Sequence, residues 1–297
     1  MKCDLCPRKC LVDRKKGEKG ICGQTENLKV ARAALHFWEE PCISGDAGSG
    51  AVFFSGCPLH CVFCQNENIA NGTVGKEISL ERLVDIFLEL QEKRANNINL
   101  VTSGHFVPQI VKALDQARKE GLTLPVVYNT SSYETVDTIK MLEGYVDIYL
   151  PDFKYMSPVL SKKYSHAPDY AEVAKAAIAE MVRQTGKAVF VNGEEDNLIL
   201  SGTIVRHLTL PGCMADSMQI VKYLHDTYGD KIYISIMNQF TPLSNLEKYP
   251  ELNRRITDVE YETLVDYAID IGIENGFIQE GNTAEESFIP AFDCEGV

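Results

Sequence analysis

Apolar runs alternate with amphipathic segments along most of the chain. The run AVFFSG, residues 51–56, is almost continuously apolar, as in a strand buried on both faces. The segment SLERLVDIFLELQEKRA begins at Ser79, a candidate N-cap, and carries its leucine, valine and phenylalanine side chains at near-helical spacing. This pair predicts a buried strand followed by an amphipathic helix.

Five further strand–helix pairs follow the first. The predicted strands are NINLVTS, PVVYNTS, VDIYLPD, TIVRHLTLPG and KIYISIMNQF, and each precedes a segment of helical periodicity. Strands of β-branched and aromatic residues that alternate with helices are typical of a parallel sheet covered by helices. No G-x-G-x-x-G motif follows the first strand, which disfavours a dinucleotide-binding sheet. The six units therefore predict an α/β fold, a barrel or partial barrel with functional residues at the carboxyl ends of its strands.

The composition is that of a globular protein. Of 297 residues, 45% are hydrophobic and 24% are charged, which is enough apolar material for a large core. A formal net charge of −13 would repel a phosphate backbone, so we expect no nucleic-acid partner. We expect no membrane span, because the chain has no apolar run of about 18 residues. We also expect a cytoplasmic location, because MKCDLCPRKC lacks the apolar core of a secretory signal.

The first residues of the chain differ from the rest. They are rich in cysteine and basic residues, show little periodicity, and lead into the loop-like stretch SGDAGSG. We therefore predict a cysteine-rich, metal-binding extension over residues 1–45, a barrel over residues 46–285 and a short tail over residues 286–297.

Seven of the ten cysteines form two tight groups, which in a reducing compartment indicates metal or redox chemistry. Cys57, Cys61 and Cys64 stand in a C-x3-C-x2-C pattern directly after the first strand. One loop can wrap three thiolates around a [4Fe–4S] cluster, which leaves one iron without a protein ligand. An open coordination position is typical of a reactive metal site. A zinc site completed by His60 and an electron-transfer cluster completed by a distant cysteine are the alternatives.

The stretch GCPLHCVFCQN, with Phe63 directly before the third cysteine, resembles the signature of the radical S-adenosylmethionine (SAM) superfamily. The resemblance implies a partial (β/α)6 barrel whose open iron binds the amino and carboxylate groups of SAM. It also implies that one electron cleaves SAM to methionine and a 5′-deoxyadenosyl radical, which abstracts hydrogen from a substrate.

Four other stretches, EEPCISGDAGSGAVFFSGC, VVYNTSSY, DIYLPDFKY and VRHLTLPG, resemble the group of pyruvate formate-lyase-activating enzymes. They are most similar to an uncharacterised branch of it that has an extra N-terminal cysteine motif. The resemblance implies an oxidoreductase that abstracts hydrogen from a glycine of a partner glycyl-radical enzyme. Modification of another peptide or of a small molecule is an alternative, and a non-catalytic iron–sulfur electron carrier or binding module is another.

The resemblance also assigns side chains to SAM. In the activating enzymes a Gly-Gly-Glu loop after the second strand holds the methionine amino group. The equivalent LVTSGHF has no carboxylate, but Thr102 and Ser103 offer hydroxyl acceptors. Asn129 and Thr130 follow the third strand, where the activating enzymes have an Asp-Thr-Asn-Gly run near SAM.

Charged residues follow the next two strands. Asp152 and Lys154 resemble an Asp-x-Lys motif and share a strand face, so Lys154 is expected to neutralise the SAM carboxylate and Asp152 to orient it. Arg206 and His207 lie on opposite faces, and the resemblance assigns Arg206 to the barrel interior. Met237 and Gln239, at the end of the sixth strand, are candidates for the adenosyl or substrate side.

The other cysteine group consists of Cys3, Cys6, Cys10 and Cys22. Four thiolates at this spacing predict a closed site for Zn²⁺ or Fe, or an auxiliary [4Fe–4S] cluster. A structural metal is favoured, because so short a segment cannot fold on a core of its own.

The same segment is a basic patch on an acidic protein. Its basic residues are Lys2, Arg8, Lys9, Arg14, Lys15, Lys16 and Lys19. A solvated loop would explain them. The functional hypothesis is that they dock an acidic flavodoxin or ferredoxin that reduces the radical SAM cluster.

Overall fold

A computed structural model describes residues 2–193, 197–243, 246–279 and 290–297. The strands in this part of the chain are β1 (Leu28–His36), β2 (Ser49–Phe54), β3 (Lys76–Ile78), β4 (Ile98–Val101), β5 (Val126–Thr130), β6 (Ile148–Pro151), β7 (Val189–Phe190), β8 (Ile199–Leu208), β9 (Tyr233–Met237) and β10 (Gly276–Ile278). The α-helices are α1 (Pro41–Ser44), α2 (Glu67–Ala70), α3 (Leu80–Glu92), α4 (Val107–Lys119), α5 (Val136–Lys140), α6 (Pro158–Ser165), α7 (Tyr170–Thr185), α8 (Met214–Tyr228) and α9 (Asp258–Asp270).

The six predicted strands form the centre of one sheet. They are β2, β4, β5, β6, β8 and β9, and each pairs in parallel with the next in that order. The full order is β10-β9-β8-β6-β5-β4-β2-β1-β3, with β7 attached to β8, so the sheet stays open. The predicted α/β fold with a partial barrel is confirmed.

Helices cover one face of the sheet. Apolar residues of β2, β4 and β5 pack there against α3 and α4, in a core that includes Phe87 and Leu114. Burial of each such side chain contributes about 1.5–3 kcal/mol. The predicted cap of α3 is present, since the Ser79 hydroxyl accepts a hydrogen bond from the Arg82 backbone N–H.

The sheet begins earlier than the sequence suggests. Strand β1 runs antiparallel to β2 from Val30 opposite Phe54 to His36 opposite Ser49. The sheet therefore includes residues that the sequence analysis assigned to the extension ending at residue 45. The strand periodicity of β1 is weak, because β1 has few large apolar residues and carries Lys29 and Arg32.

Helix α1 packs against the other face of the sheet. Its residues Cys42 and Ile43 are buried against inward-facing residues of β5, β6 and β8. Asn97, just before β4, donates a hydrogen bond to the Ile43 carbonyl at 2.8 Å. The helix therefore covers the inner face of the open sheet near the amino ends of its strands.

The last residues of the chain lie along β1. The Cys294 backbone N–H donates to the Ala31 carbonyl at 3.0 Å, and the Ala33 N–H donates to the Glu295 carbonyl at 2.9 Å. Of the predicted tail, residues 286–289 lie outside the described residues. No helix among the described residues is long and apolar enough to span a membrane.

Candidate functional site

A cavity of about 430 Å³ lies where the central parallel strands end. Residues at or just after the carboxyl ends of β2, β4, β5, β6, β8 and β9 contribute to its lining, as expected of a barrel fold. Among its lining residues are the predicted Cys57, Cys61, Phe63, Cys64, Asn129, Thr130, Asp152, Lys154, Arg206, Met237 and Gln239. The structure thus brings together side chains from six separate segments of the chain.

The three cysteines of the C-x3-C-x2-C pattern are close neighbours. Burial, together with the charge of Cys61, raises the pKa of Cys57 to about 11 and that of Cys64 to about 12. The Ser165 hydroxyl donates to Cys61 Sγ at 2.9 Å. Three crowded thiolates in a buried site need a positive partner, and iron meets that need.

His60 does not complete a zinc site with these cysteines. Its Nε2 lies 2.7 Å from the Ile21 carbonyl and its Nδ1 lies 3.1 Å from the Asn71 side chain, so both ring nitrogens are engaged. Within the described residues, no three His, Cys, Asp or Glu side chains form a group that would hold a single metal ion.

Phe63 fixes the loop that carries the third cysteine. Its buried ring makes edge contacts with the rings of Tyr155, Tyr164 and Phe240. These ring contacts hold in place the residue directly before Cys64.

Charged side chains alternate in sign along the cavity wall. Lys154 Nζ lies 2.6 Å from Asp152 Oδ2, and Arg206 Nε lies 3.0 Å from Asp152 Oδ1. Burial alone would raise the pKa of Asp152, but the two cations outweigh burial and lower it. Asp152 is therefore ionised, and it holds both cations in place.

Arg206 faces the cavity, as the resemblance implies, but its nitrogens are occupied by the protein. Besides Asp152, it contacts Glu39 Oε2 at 2.9 Å and donates to Asn129 Oδ1 at 2.7 Å. Glu39 Oε1 in turn accepts from Asn99 and Asn129. Arg206 therefore ties the charges of three segments together and is a positioning residue.

Sequence reasoning missed Glu39 and Glu40 as site residues. Both line the cavity, because they directly precede α1 and α1 packs inside the sheet. An available clue was the acidic pair at the start of EEPCISG, a stretch that carries the family resemblance.

A sequence profile described as the radical SAM superfamily matches residues 51–197, the segment that holds the three cysteines. The chain belongs to the radical SAM superfamily. Membership implies a [4Fe–4S] cluster and SAM as cofactors, and SAM-dependent radical chemistry as the activity.

The chain is similar to one curated protein of unknown role and to several solved structures. An uncharacterized protein of Methanocaldococcus jannaschii is 27% identical over 272 residues, covering 90% of this chain and 74% of that protein. SuiB of Streptococcus suis, solved with S-adenosylmethionine, matches 80% of this chain and 51% of its own at 13% identity and a TM-score of 0.52. HydG, a maturase of the [FeFe]-hydrogenase, matches 78% and 51% at 14% identity and a TM-score of 0.51. At such low identity these two structures show the fold alone, and the chain spans about half of their length.

Within this radical SAM fold, the prediction for Ser103 is corrected. Ser103 is fully buried beside Tyr128 and does not line the cavity, whereas Thr102 does. The reason is local, because Thr102 adopts a left-handed backbone with φ of 55° that turns the next side chain into the protein.

A buried carboxyl group lies behind the same loop. Tyr128 donates to Glu134 Oε1 at 2.6 Å, and a Cβ at Gly104 would clash with that oxygen, so only glycine fits there. Burial raises the pKa of Glu134 to about 7. Glu134 lies outside the main cavity but shares a cavity of about 20 Å³ with Thr102 and Thr130.

His105, in the loop after β4, and His207, on β8, are structural. His105 Nε2 lies 2.7 Å from the Ser55 carbonyl, and burial lowers its pKa to about 3. His207 is buried between the Phe153 carbonyl and the Ser217 hydroxyl, on the face opposite Arg206.

The N-terminal cysteines also come together. Burial, together with the charges of Cys22, Cys10 and Cys3, raises the pKa of Cys6 to about 12. The Ile21 backbone N–H donates to Cys10 Sγ at 3.3 Å. The four sulfurs are therefore electrostatic neighbours.

This N-terminal loop contacts the radical SAM cysteine loop directly. Arg8 Nε donates to the Pro58 carbonyl at 2.9 Å, and its other nitrogens donate to the carbonyls of Ser165 and His166. A Cβ at Gly56 would come within 2.5 Å of the Cys22 carbonyl oxygen. The loops that carry the two cysteine groups are thus in direct contact.

Proposed function

We propose that this protein is an oxidoreductase that uses its radical SAM chemistry to abstract hydrogen from a glycine of a partner glycyl-radical enzyme. The observation that carries the radical step is that three coupled thiols and Lys154 line one cavity at the carboxyl ends of the parallel strands. The resemblance of four segments to the activating enzymes supports the glycine target.

The residues present fit the cofactors. Cys57, Cys61 and Cys64 would hold the [4Fe–4S] cluster by thiolate ligation, which leaves one iron for SAM. When bound, the cluster and SAM supply a one-electron cleavage that yields methionine and a 5′-deoxyadenosyl radical. The Ser165 hydroxyl stabilises the Cys61 thiolate by its hydrogen bond.

Polar groups of this chain would hold SAM. The Lys154 ammonium lies close enough to the cysteines that the Cys61 charge raises its pKa, although burial opposes this. It is therefore a cation beside the cluster, suited to a SAM carboxylate, and Asp152 orients it. Thr102, Asn129 and Thr130 add hydroxyl and amide groups on the neighbouring strand ends. Arg206 positions Asp152 and Asn129.

The four N-terminal cysteines are proposed to hold a second centre. An auxiliary [4Fe–4S] cluster is favoured over a structural Zn²⁺ or Fe ion, because no three of the described side chains are arranged to hold a single metal ion. Their mutual electrostatic influence supports a shared partner of positive charge. The exposed Lys15 and Lys16 on this loop are proposed to dock an acidic flavodoxin or ferredoxin as the reductant.

Anaerobic iron–sulfide reconstitution followed by a SAM-cleavage assay tests the proposal. Reduced wild-type protein is expected to release methionine and 5′-deoxyadenosine in equal amounts, and Cys61→Ala to release neither. Cys294→Ala, outside both cysteine groups, is the matched control and should retain cleavage. A wild-type protein that binds iron but yields no 5′-deoxyadenosine would instead support a non-catalytic iron–sulfur protein.

The substrate is tested separately. Incubation with a glycyl-radical enzyme is expected to produce a glycyl radical signal in electron paramagnetic resonance. SAM cleavage without that signal would favour another peptide or a small molecule.

A further inference from the structure

Two adjacent carboxylates form the floor of the cavity. Glu39 and Glu40 directly precede α1, and the Glu40 carbonyl accepts backbone hydrogen bonds from Ile43 at 2.8 Å and Ser44 at 3.0 Å. Because α1 is buried against the inner face of the sheet, these two side chains reach the cavity from the amino ends of the strands. They occupy the end opposite to the loops that carry the cysteines.

The two carboxylates differ in how well they are satisfied. Glu39 accepts from Arg206, Asn99 and Asn129. Glu40 is only 8% exposed and lies beside the Ser235 side chain, and its Oε2 atom is buried without a hydrogen-bond partner. A buried acceptor that lacks a partner is costly, so a group that binds in the cavity and donates to it would be stabilised.

Charge along the cavity points to a cation. The described lining residues include the carboxylates Glu39, Glu40 and Asp152 but only two cations, Lys154 and Arg206. His36 adds no charge at neutral pH, because burial and two nearby arginines lower its pKa to about 4. Glu39 and Asp152 are both paired with Arg206, so Glu40 is the lining carboxyl group without a described ion pair. Burial raises the pKa of Glu40, although the charge of Arg206 opposes this, so the group ionises fully only when a cation binds beside it.

The cysteines and Lys154, which would hold the cluster and SAM, lie together at one end of the cavity. Lys154 interacts electrostatically with the three cysteines, Asp152 lies next to it, and Arg206 connects Asp152 to Glu39. The charged groups therefore run from the cysteines through Lys154, Asp152, Arg206 and Glu39, and Glu40 lies at the end far from the cysteines. The amino group of a SAM molecule bound to the cluster would remain at the cysteine end.

We propose that Glu40, with the Ser235 hydroxyl beside it, is the subsite for a positively charged N–H donor on the second substrate, an amine or a guanidinium group. In a peptide substrate this donor is a lysine or arginine side chain. The inference rests on the proposed function, since it names the substrate group that this same cavity receives. Glu40 would accept the donor at Oε2 and fix the depth at which the substrate sits.

The test compares n-butylammonium with 1-butanol, which has the same carbon chain but no charge. Both are titrated into the full-length protein with its cluster oxidised and SAM saturating, so that SAM is not cleaved. Trp38 is the only tryptophan in the chain and lines the cavity, so its fluorescence reports binding. We expect saturable binding of the amine and at least tenfold weaker binding of the alcohol.

Variants separate this subsite from the SAM site. Glu40→Gln is expected to weaken amine binding at least tenfold and to leave SAM affinity unchanged, while Glu92→Gln on the exposed end of α3 changes neither. If Glu40→Gln does not fold, Ser235→Ala takes its place, with an expected weakening of about threefold.

Equal binding of amine and alcohol, or unaltered amine binding in both variants, would overturn the inference, and so would a loss of SAM affinity in Glu40→Gln. The titration repeated without SAM keeps the two proposals apart. Amine binding by a protein that never binds SAM would refute the proposed function and leave the Glu40 subsite standing.

Discussion

At the scale of single residues, Glu134 combines full burial with an ionisable group. Its carboxyl lies behind the loop after β4, accepts a hydrogen bond from Tyr128, and fills the space that a side chain at Gly104 would need. Burial raises its pKa from 4.5 to about 7, so the folded protein favours the protonated acid. The stability of the protein should therefore depend on pH through this group.

Glu134→Gln should remove that dependence. Between about pH 4.5 and pH 7 the folded state binds more protons at Glu134 than the unfolded state does, so the wild-type free energy of unfolding falls as pH rises and levels off above pH 7. Glutamine does not titrate, so the variant should gain roughly 1–3 kcal/mol relative to wild type between pH 5 and pH 8. Urea unfolding at the two pH values measures the difference. The exposed control Glu120→Gln should parallel wild type, and parallel curves for Glu134→Gln would show that Glu134 does not titrate as described.

At the scale of elements, α1 determines where the cavity ends. A helix of four residues has little stability of its own, so its place depends on contacts with the strand ends. Asn97 supplies one of them, since it donates to the Ile43 carbonyl at 2.8 Å, and it is itself held by the Ser49 hydroxyl of β2, which donates to it at 2.6 Å. The position of Glu39 and Glu40 follows from these contacts.

Asn97→Ala should lower the free energy of unfolding by about 1–3 kcal/mol, because it leaves a buried carbonyl and a buried hydroxyl without their partners. Urea unfolding of the full-length protein measures this loss. Asn253→Ala, on an exposed turn, is the matched control and should change stability by less than about 0.5 kcal/mol. A loss no larger than that of the control would mean that α1 is held mainly by its apolar contacts.

The sequence was informative about elements with strong periodicity. The six predicted parallel strands and the helix that begins after Ser79 follow from apolar patterning and a cap, which are local properties. The placement of Cys57, Asp152 and Arg206 in one cavity follows from their positions at strand ends.

Three features of the site and the sheet were not predicted from the sequence. Glu39 and Glu40 line the site only because α1 packs against the inner face of the sheet, and this packing depends on residues distant in the chain. Ser103 points away from the site because the backbone of Thr102 is left-handed, a conformation that a threonine in the sequence does not predict. Strand β1 was missed because alanines and charged residues dilute its pattern.

At the scale of the whole molecule, charge is distributed unevenly. The chain carries a formal net charge of −13, yet the N-terminal loop exposes Lys15 and Lys16 beside the cysteines that it carries. Both lysines lie 4.0 Å from an acidic partner and remain mostly exposed, so these surface pairs hold them weakly.

Reversal of both charges, Lys15→Glu with Lys16→Glu, should slow reduction of the cluster by flavodoxin or ferredoxin at low salt about tenfold and flatten the dependence of the rate on salt. Stopped-flow absorbance of the reconstituted protein measures the rate. Reversal at Lys222, exposed on α8, together with Lys140 on α5, is the matched control and should have little effect. An unchanged rate in the Lys15 and Lys16 variant would rule the basic loop out as the docking surface.

The contacts between the two cysteine loops couple the stability of one loop to that of the other. Arg8 donates a hydrogen bond to the Pro58 carbonyl, and the Cys22 carbonyl packs against Gly56. Unfolding of one loop would therefore remove contacts that stabilise the other. If oxygen destroys the centre held by one cysteine loop, we therefore expect the centre held by the other loop to be lost as well. Oxygen damage should accordingly appear as one concerted bleaching rather than as two independent decays.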